Sequence, residues 1–590
     1  MTSIISSLTV TQIKSLSTTT IASLTTNDVA ALSTTQIKAL SSSQIKALST
    51  DDVAALTTDQ MSAVSPSAIK GLSLGQLAVL DTTKIENLST GQVAALGTDQ
   101  INAFGSSQAG ALTTSQVRVL SSAQIGALST DDIASFSTDD IAAITTAALA
   151  GLSTANVAAL SSDQAAVLST AQIAALKTGQ VNALTSTQVG ALSASQVGTL
   201  SSTQVAALST ANIAGLSTVQ VAALSAKSVA GLTTAQIGAL GSDNVAALTT
   251  AQVGALNSAQ IGALSSSEIA GLSTADIAAI NTAALGGLST ANVAILSSDQ
   301  TAALRNEQVA ALKTSQIHAL SSTQVGALTT AQVATLSATQ VAALTTDNVA
   351  GLSTTQIGAL TSKSVTGLST AQVGALSSTQ VEALSPALVG SLNSAQIGAL
   401  STDDIAGFST ADIAAITTAA LAGLSTTNVA ALSSDQAAAL TTAQVAALKT
   451  SQVHALTSTQ VGALSTSQVG TLSATQVGAL TTDNVAGLST TQIGALTSKS
   501  VTGLSTAQVG ALSSTQVEAL SPALVGALNS AQIGALSTAD IAGFSTADIA
   551  AITTAALAGL STANVAALSS DQAAALTTAQ VAALKTTQVN

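Results

Sequence analysis

The chain has 590 residues, 47% of them apolar and only 7% charged, with four Phe, two His and no Tyr, Trp or Cys. The missing cysteines exclude a disulfide framework and thiolate metal sites. The net charge of −14 argues against nucleic acid, which selects a basic face, and the near absence of aromatics removes base-stacking platforms.

The first eight residues, MTSIISSL, form a degenerate octad and a candidate cap. From Leu8 onward an apolar residue falls on every multiple of eight, through Leu16, Leu24 and Leu32 to Leu584, without insertion or deletion. The position admits only close substitutes: Val64, Phe104, Phe136, Ile144, Ile280, Phe408, Ile416, Phe544 and Ile552. All four Phe are in that set, so they read as core replacements for Leu rather than a ligand-stacking box. With Leu as slot 8, the consensus is Ser/Thr, Ser/Thr, any, Gln/Asp, Val/Ile, any, Ala/Gly, Leu. Residues 9–128 are a diverged array of this unit. Residues 129–590 add a second period of 136 residues, or 17 octads: TAALAGLSTANVAAL at Thr146 recurs with small changes at Thr282, Thr418 and Thr554. The last super-repeat is incomplete, and the chain stops mid-octad at Gln588-Val589-Asn590, read as a truncation or as an end completed by another chain. Seventeen is prime, so the duplication preserves no fixed grouping of octads. Every octad is expected to be equivalent, in one continuous solenoid whose length is a repeat number rather than a domain count.

Each octad reads as one short capped helix. Slot 1 is Ser or Thr nearly throughout; its exceptions are Asp81, Gly97, Gly105, Gly241, Asn257, Asn281, Asn393, Asn529 and five basic residues. Apart from the cations, that is the set preferred at a helix N-cap, where a side-chain oxygen accepts an orphaned backbone N–H. Pro66, Pro386 and Pro522 all occupy slot 2, the first helical position, where proline loses nothing. Slot 4 is then the Gln/Glu position of a capping box, and slots 8 and 5 form a hydrophobic staple around the cap. Nearly all acidic residues fall in slots 3 and 4, at the positive end of the helix dipole, with Asp81, Glu86, Glu382 and Glu518 as the exceptions. Lys177, Arg305, Lys313, Lys449 and Lys585 in slot 1 follow the negative end of the preceding helix. Slots 5, 7 and 8 are the expected buried set, with small residues in slot 7 marking close backbone approach. Slot 6 faces water. At 100° per residue slot 4 also falls inside the apolar arc, so its Gln must either curl back onto its own helix or bond to a neighbouring octad. The fold class is therefore all-α, a solenoid of very short capped helices. The alternative is a β-solenoid in which slots 5 and 7 alternate inward.

Candidate chemistry is sparse. His318 and His454 occupy equivalent slot-6 positions, with no second His at ligand distance in sequence. The adjacent pairs Asp51-Asp52, Asp131-Asp132, Asp139-Asp140 and Asp403-Asp404 suggest weak calcium binding, but they also sit where the helix dipole favours acids. The Ser and Thr residues have no base and orienter to make a nucleophile. Regular Thr rows suit ice binding only on a flat β face. No catalytic, cofactor or metal residue is assigned. No window of 18 apolar residues exists, so no membrane-spanning helix is expected, and no basic-then-apolar leader is visible.

Octads such as SSTQVGAL, STAQVAAL and TTDNVAGL resemble the low-complexity Ser/Thr-Gln-Val-Ala-Leu arrays of large bacterial secreted or cell-surface proteins. The resemblance covers the whole chain and implies an adhesin- or matrix-like role outside the cell, with a cytoplasmic location as the alternative. A non-catalytic spacer, stalk or filament subunit is the expected function, self-associating end to end or laterally. A repetitive binding face for calcium, ice or a polymer is the second.

A strict octad makes a simple prediction. Deleting one whole octad mid-array leaves thermal unfolding nearly unchanged, whereas deleting one residue shifts every later slot and lowers the melting temperature by several degrees. Circular dichroism melts of the two deletions check it.

Overall fold

The computed structural model describes residues 4–589. They form 71 α-helices of four to six residues and three 3-10 helices, and no strand occurs among the described residues. The β-solenoid alternative is thereby excluded. The chain divides into two compact units, Met1–Leu296 and Ser297–Asn590, each an array of the same octad. Of the first octad, Ile4–Ser7 is a 3-10 helix; the part of the expected cap at 1–3, and the terminal Asn590, lie outside the described residues.

The octad at 201–208 shows how the sequence builds each turn. Ser201 is extended (φ −70°, ψ 163°) and its Oγ accepts the Gln204 N–H at 3.3 Å. The Gln204 side chain returns the favour, its Oε1 accepting the Ser201 N–H at 2.9 Å. The capping box read from slots 1 and 4 is thus formed. The helix runs over Ser202–Ala207 and stops because Leu208 is also extended (φ −64°, ψ 145°). Slots 8 and 1 are therefore a two-residue hinge between successive helices, made without glycine. In the two octads that carry Pro386 and Pro522, the proline opens the helix as slot 2 requires.

A helix this short cannot stand alone, since nucleation is unfavourable and packing must stabilise it. The helix Ser202–Ala207 packs on Ala226–Val229, three octads on. Side chains reach further: Gln204 Nε2 donates to the carbonyls of Ile173 (3.1 Å) and Leu176 (2.9 Å), four octads back. Other contacts between turns span 25 to 29 residues, as in Lys177 to Ala150, Thr114 to Asp140 and Thr199 to Thr170. One turn of the solenoid therefore holds between three and four octads, each helix packing on the one three octads away while its slot-4 side chain reaches the octad before that.

The buried set differs from the expected one. Slots 5 and 8 are buried, with Val205 at 0% and Leu208 at 4% exposure, but the third member is slot 4 rather than slot 7. Slot-4 Gln side chains are buried because they do both things the sequence left open. Oε1 caps the helix and Nε2 crosses to the turn before. Slot 7 is half-buried or exposed almost throughout. It stays small where a neighbouring backbone crowds it: a Cβ on Gly423 would stand 1.8 Å from the Ser394 carbonyl oxygen, and one on Gly151 would stand 1.8 Å from that of Ser122.

Three of the five basic slot-1 residues, Lys177, Lys449 and Lys585, also act at a different place. Lys177 Nζ donates to the Ala150 carbonyl at 2.8 Å, and Lys449 does the same to Ala422 at 2.7 Å. The cation caps a helix C-terminus, as the dipole favours, but that helix lies in the previous turn rather than the preceding octad.

Two substitutions separate these causes. Gly423→Ala forces turns apart and is expected to cost about 1–3 kcal/mol of local stability, while Gly271→Ala, whose Cβ meets nothing within 4 Å, is neutral or slightly stabilising. Gln204→Ala removes two bonds between turns and one cap and is expected to cost about 2 kcal/mol. Amide hydrogen exchange around each position measures the differences.

Candidate functional site

The two carboxylates of each acidic pair are placed differently. Neighbouring helical residues point about 100° apart, so the two carboxylates of each pair separate. Asp132 is buried and accepts the Ser129 N–H at 2.8 Å and the Ser129 hydroxyl at 2.7 Å, whereas Asp131 is exposed. Asp52, Asp140 and Asp404 are likewise buried caps beside the exposed Asp51, Asp139 and Asp403. No group of three or more His, Asp or Glu side chains that could hold a metal occurs among the described residues.

The two histidines are exposed, and each uses Nδ1 between turns, 3.0 Å from the carbonyl oxygen of Ala343 for His318 and of Ala479 for His454. A carbonyl only accepts, so the ring proton sits on Nδ1. Each His thus tethers one turn to the next, and no carboxylate orients it as a base.

The one place where a cation replaces the slot-4 amide is Lys84. Its Nζ donates to the Ala54 carbonyl at 2.9 Å, taking over part of the glutamine's role, and pairs with Asp81 at 2.7 Å. The Lys84 ammonium bonded to the Asp81 carboxylate holds that carboxyl below its usual range, helped by the Lys84 backbone N–H and opposed by slight burial.

Two of the clefts in the surface have equivalent linings 136 residues apart. The first, of about 690 Å³, lies between Leu80, Asp81 and Thr82 on one turn and Gly105, Ser106 and Gln108 on the next. The second, of about 440 Å³, is lined by Leu216, Ser217, Thr218, Gly241, Ser242 and Asn244. Glycine in slot 1 opens both by deleting the capping side chain. At Gly241 the backbone also takes φ +77°, a region that glycine enters without strain. Read only as acceptable N-caps, Gly105 and Gly241 gave no hint of a cleft; their 136-residue separation was the signal available. Both clefts are open and lined by caps and backbone; the Asp81 carboxylate at the first is already paired with Lys84. No helix among the described residues is long and apolar enough to cross a membrane.

Comparison with known proteins agrees with this repeat architecture. No curated protein matches the chain. Among solved structures, a crystal structure of importin beta in an ammonium sulfate condition aligns over 97% of this chain and 88% of its own at 11% identity. Its TM-score of 0.13 is too low to carry any argument. The ALTTAQ repeat family matches in overlapping segments that merge into 5–66, 69–194, 213–338, 354–386, 405–522 and 541–578. These segments cover well over half of the sequence, octad after octad, and the chain belongs to the ALTTAQ repeat family.

Proposed function

We propose that this protein is a non-catalytic structural element, a spacer, stalk or filament subunit of a bacterial surface or extracellular matrix. The observation that carries the reading is the assignment of side chains. Slots 1, 4, 5 and 8 of nearly every octad are committed to capping and to joining turns. What remains on the surface is mostly Ser, Thr, Ala and Gly from slots 2, 3, 6 and 7. Such a chain is built to hold a distance, and its even, weakly charged surface offers no reacting groups. The adhesin- and matrix-like arrays that the octads resemble support an extracellular location. Self-association end to end or laterally belongs to the same reading.

Negative-stain electron microscopy of the purified protein tests it. The expected particle is a rod or thread whose length falls by a fixed amount when one 136-residue super-repeat is removed. A compact globular particle, or a length that does not track octad number, overturns the reading.

A further inference from the structure

The Gln ladder between turns is broken over four successive octads once in every super-repeat, whereas its other breaks, as at Ser364, Leu388, Ser500 and Leu524, are single octads. In octads 401–432 slot 4 reads Asp404, Asp412, Ala420, Asn428, and in 537–568 it reads Asp540, Asp548, Ala556, Asn564. Octads 129–160 and 265–296 carry the same series, with Glu268 in place of the first Asp. Four successive octads are about one turn, so the stretch without Gln runs most of the way round the solenoid and is not confined to one side.

The consequence is visible bond by bond. In octads 433–464, Gln436 donates to Ile405 and Phe408, Gln444 to Ile413 and Ile416, Gln452 to Leu421 and Leu424, and Gln460 to Val429 and Leu432. In octads 401–432 the only such donation from slot 4 among the described residues is Asn428 to Leu400 at 3.1 Å. Asp404 and Asp412 spend their carboxylates on their own caps. A carboxylate has no proton to give a carbonyl across the gap, and Ala420 has no polar group at all.

The interruption also carries an uncompensated cost. One carboxylate oxygen each of Asp412 and Asp548 is buried without any hydrogen-bond partner. The equivalent oxygen of Asp140 accepts the Thr114 hydroxyl 26 residues back, at 3.0 Å, and that of Asp540 accepts the Ser514 hydroxyl. Twenty-six residues before Asp412 and Asp548 stand Pro386 and Pro522, which have no hydroxyl. A buried acceptor left unpaired weakens the seam further. At 265–296 the balance is different: Asn281 donates to Gly254 and Leu256 and partly mends the gap.

We propose that these octads are built-in parting seams, at which adjoining turns separate first under load or warming, so that the protein yields in steps of one super-repeat. The proposal does not depend on where the protein works. It orders the seams, with 401–432 parting before 265–296.

Native-state amide hydrogen exchange on the full chain tests it. Protection in 404–428 is expected to be at least roughly tenfold lower than in 436–464, as sub-global opening would produce. The combined variant Asp404→Gln, Asp412→Gln, Ala420→Gln should remove that difference. The reverse variant, Gln444→Ala, Gln452→Ala, Gln460→Ala, should move the weakest point into 436–464. Single-molecule extension should show length increments of 136 residues, about 450–490 Å each. Uniform protection across 401–464 overturns the proposal, as does a folded Gln variant with the seam unchanged. Should the triple variant misfold, Asp412→Asn decides alone: the new amide should donate to Leu384 as Asn428 does to Leu400, and protection rises by roughly tenfold or the proposal fails.

Discussion

The structure depends on a single side chain used twice. A slot-4 glutamine has one carbonyl oxygen and one amide nitrogen, and the octad employs them in opposite directions. The oxygen closes the capping box of its own helix; the nitrogen satisfies carbonyls of the previous turn. Helices of four to six residues leave most of their C=O groups without intrahelical partners. Water solvates those groups in an isolated peptide, but here the carbonyls of slots 5 and 8 face another turn. The amide arriving from 28 and 31 residues away makes that burial tolerable. Local order and long-range stacking are thus secured by the same residue, which is why slot 4 varies so little outside the interrupted stretches.

Much of this was legible in the sequence, and the reasons differ by slot. The helix starts could be read because capping chemistry is narrow: Ser, Thr, Asp, Asn and Gly in slot 1, proline only in slot 2, and Gln or Asp in slot 4. The size of the turn could not, since a strict octad is compatible with any number of octads per turn and only the Gln204 contacts reveal it. Slot 7 was misplaced for an instructive reason. Small residues there do mark close backbone approach, as expected, but that approach does not bury the slot. Gly423 lies against the Ser394 backbone while remaining partly open to solvent, so a small residue is required at a site that is not part of the core. Lys177, Lys449 and Lys585 of slot 1 were placed at the right kind of group, a helix C-terminus, in the wrong turn, because sequence neighbours are not spatial neighbours at a pitch of three to four octads.

The candidate chemistry resolved into structure. Asp52, Asp132, Asp140 and Asp404 are caps, and the two histidines are tethers. The features with a shape of their own, the clefts at Gly105 and Gly241, arise from deletion of a side chain rather than from assembly of a site. Ladder interruptions, by contrast, come from substitutions that are each unremarkable in isolation. They acquire meaning only when the number of octads per turn is known, because three adjacent losses then amount to most of one circuit.

The fixed reach of the ladder has a genetic consequence. Most ladder glutamines find their carbonyls 28 and 31 residues back, a few 28 and 30, and the 28-residue step is the same from octad to octad. Unequal crossing-over between two copies therefore yields a longer or shorter array in which every new junction is already correctly bonded. Copy number can change in units of eight residues with the ladder kept in register, and the 136-residue blocks, 17 whole octads each, meet that condition. An array of this kind can change length one octad at a time and keep its ladder in register.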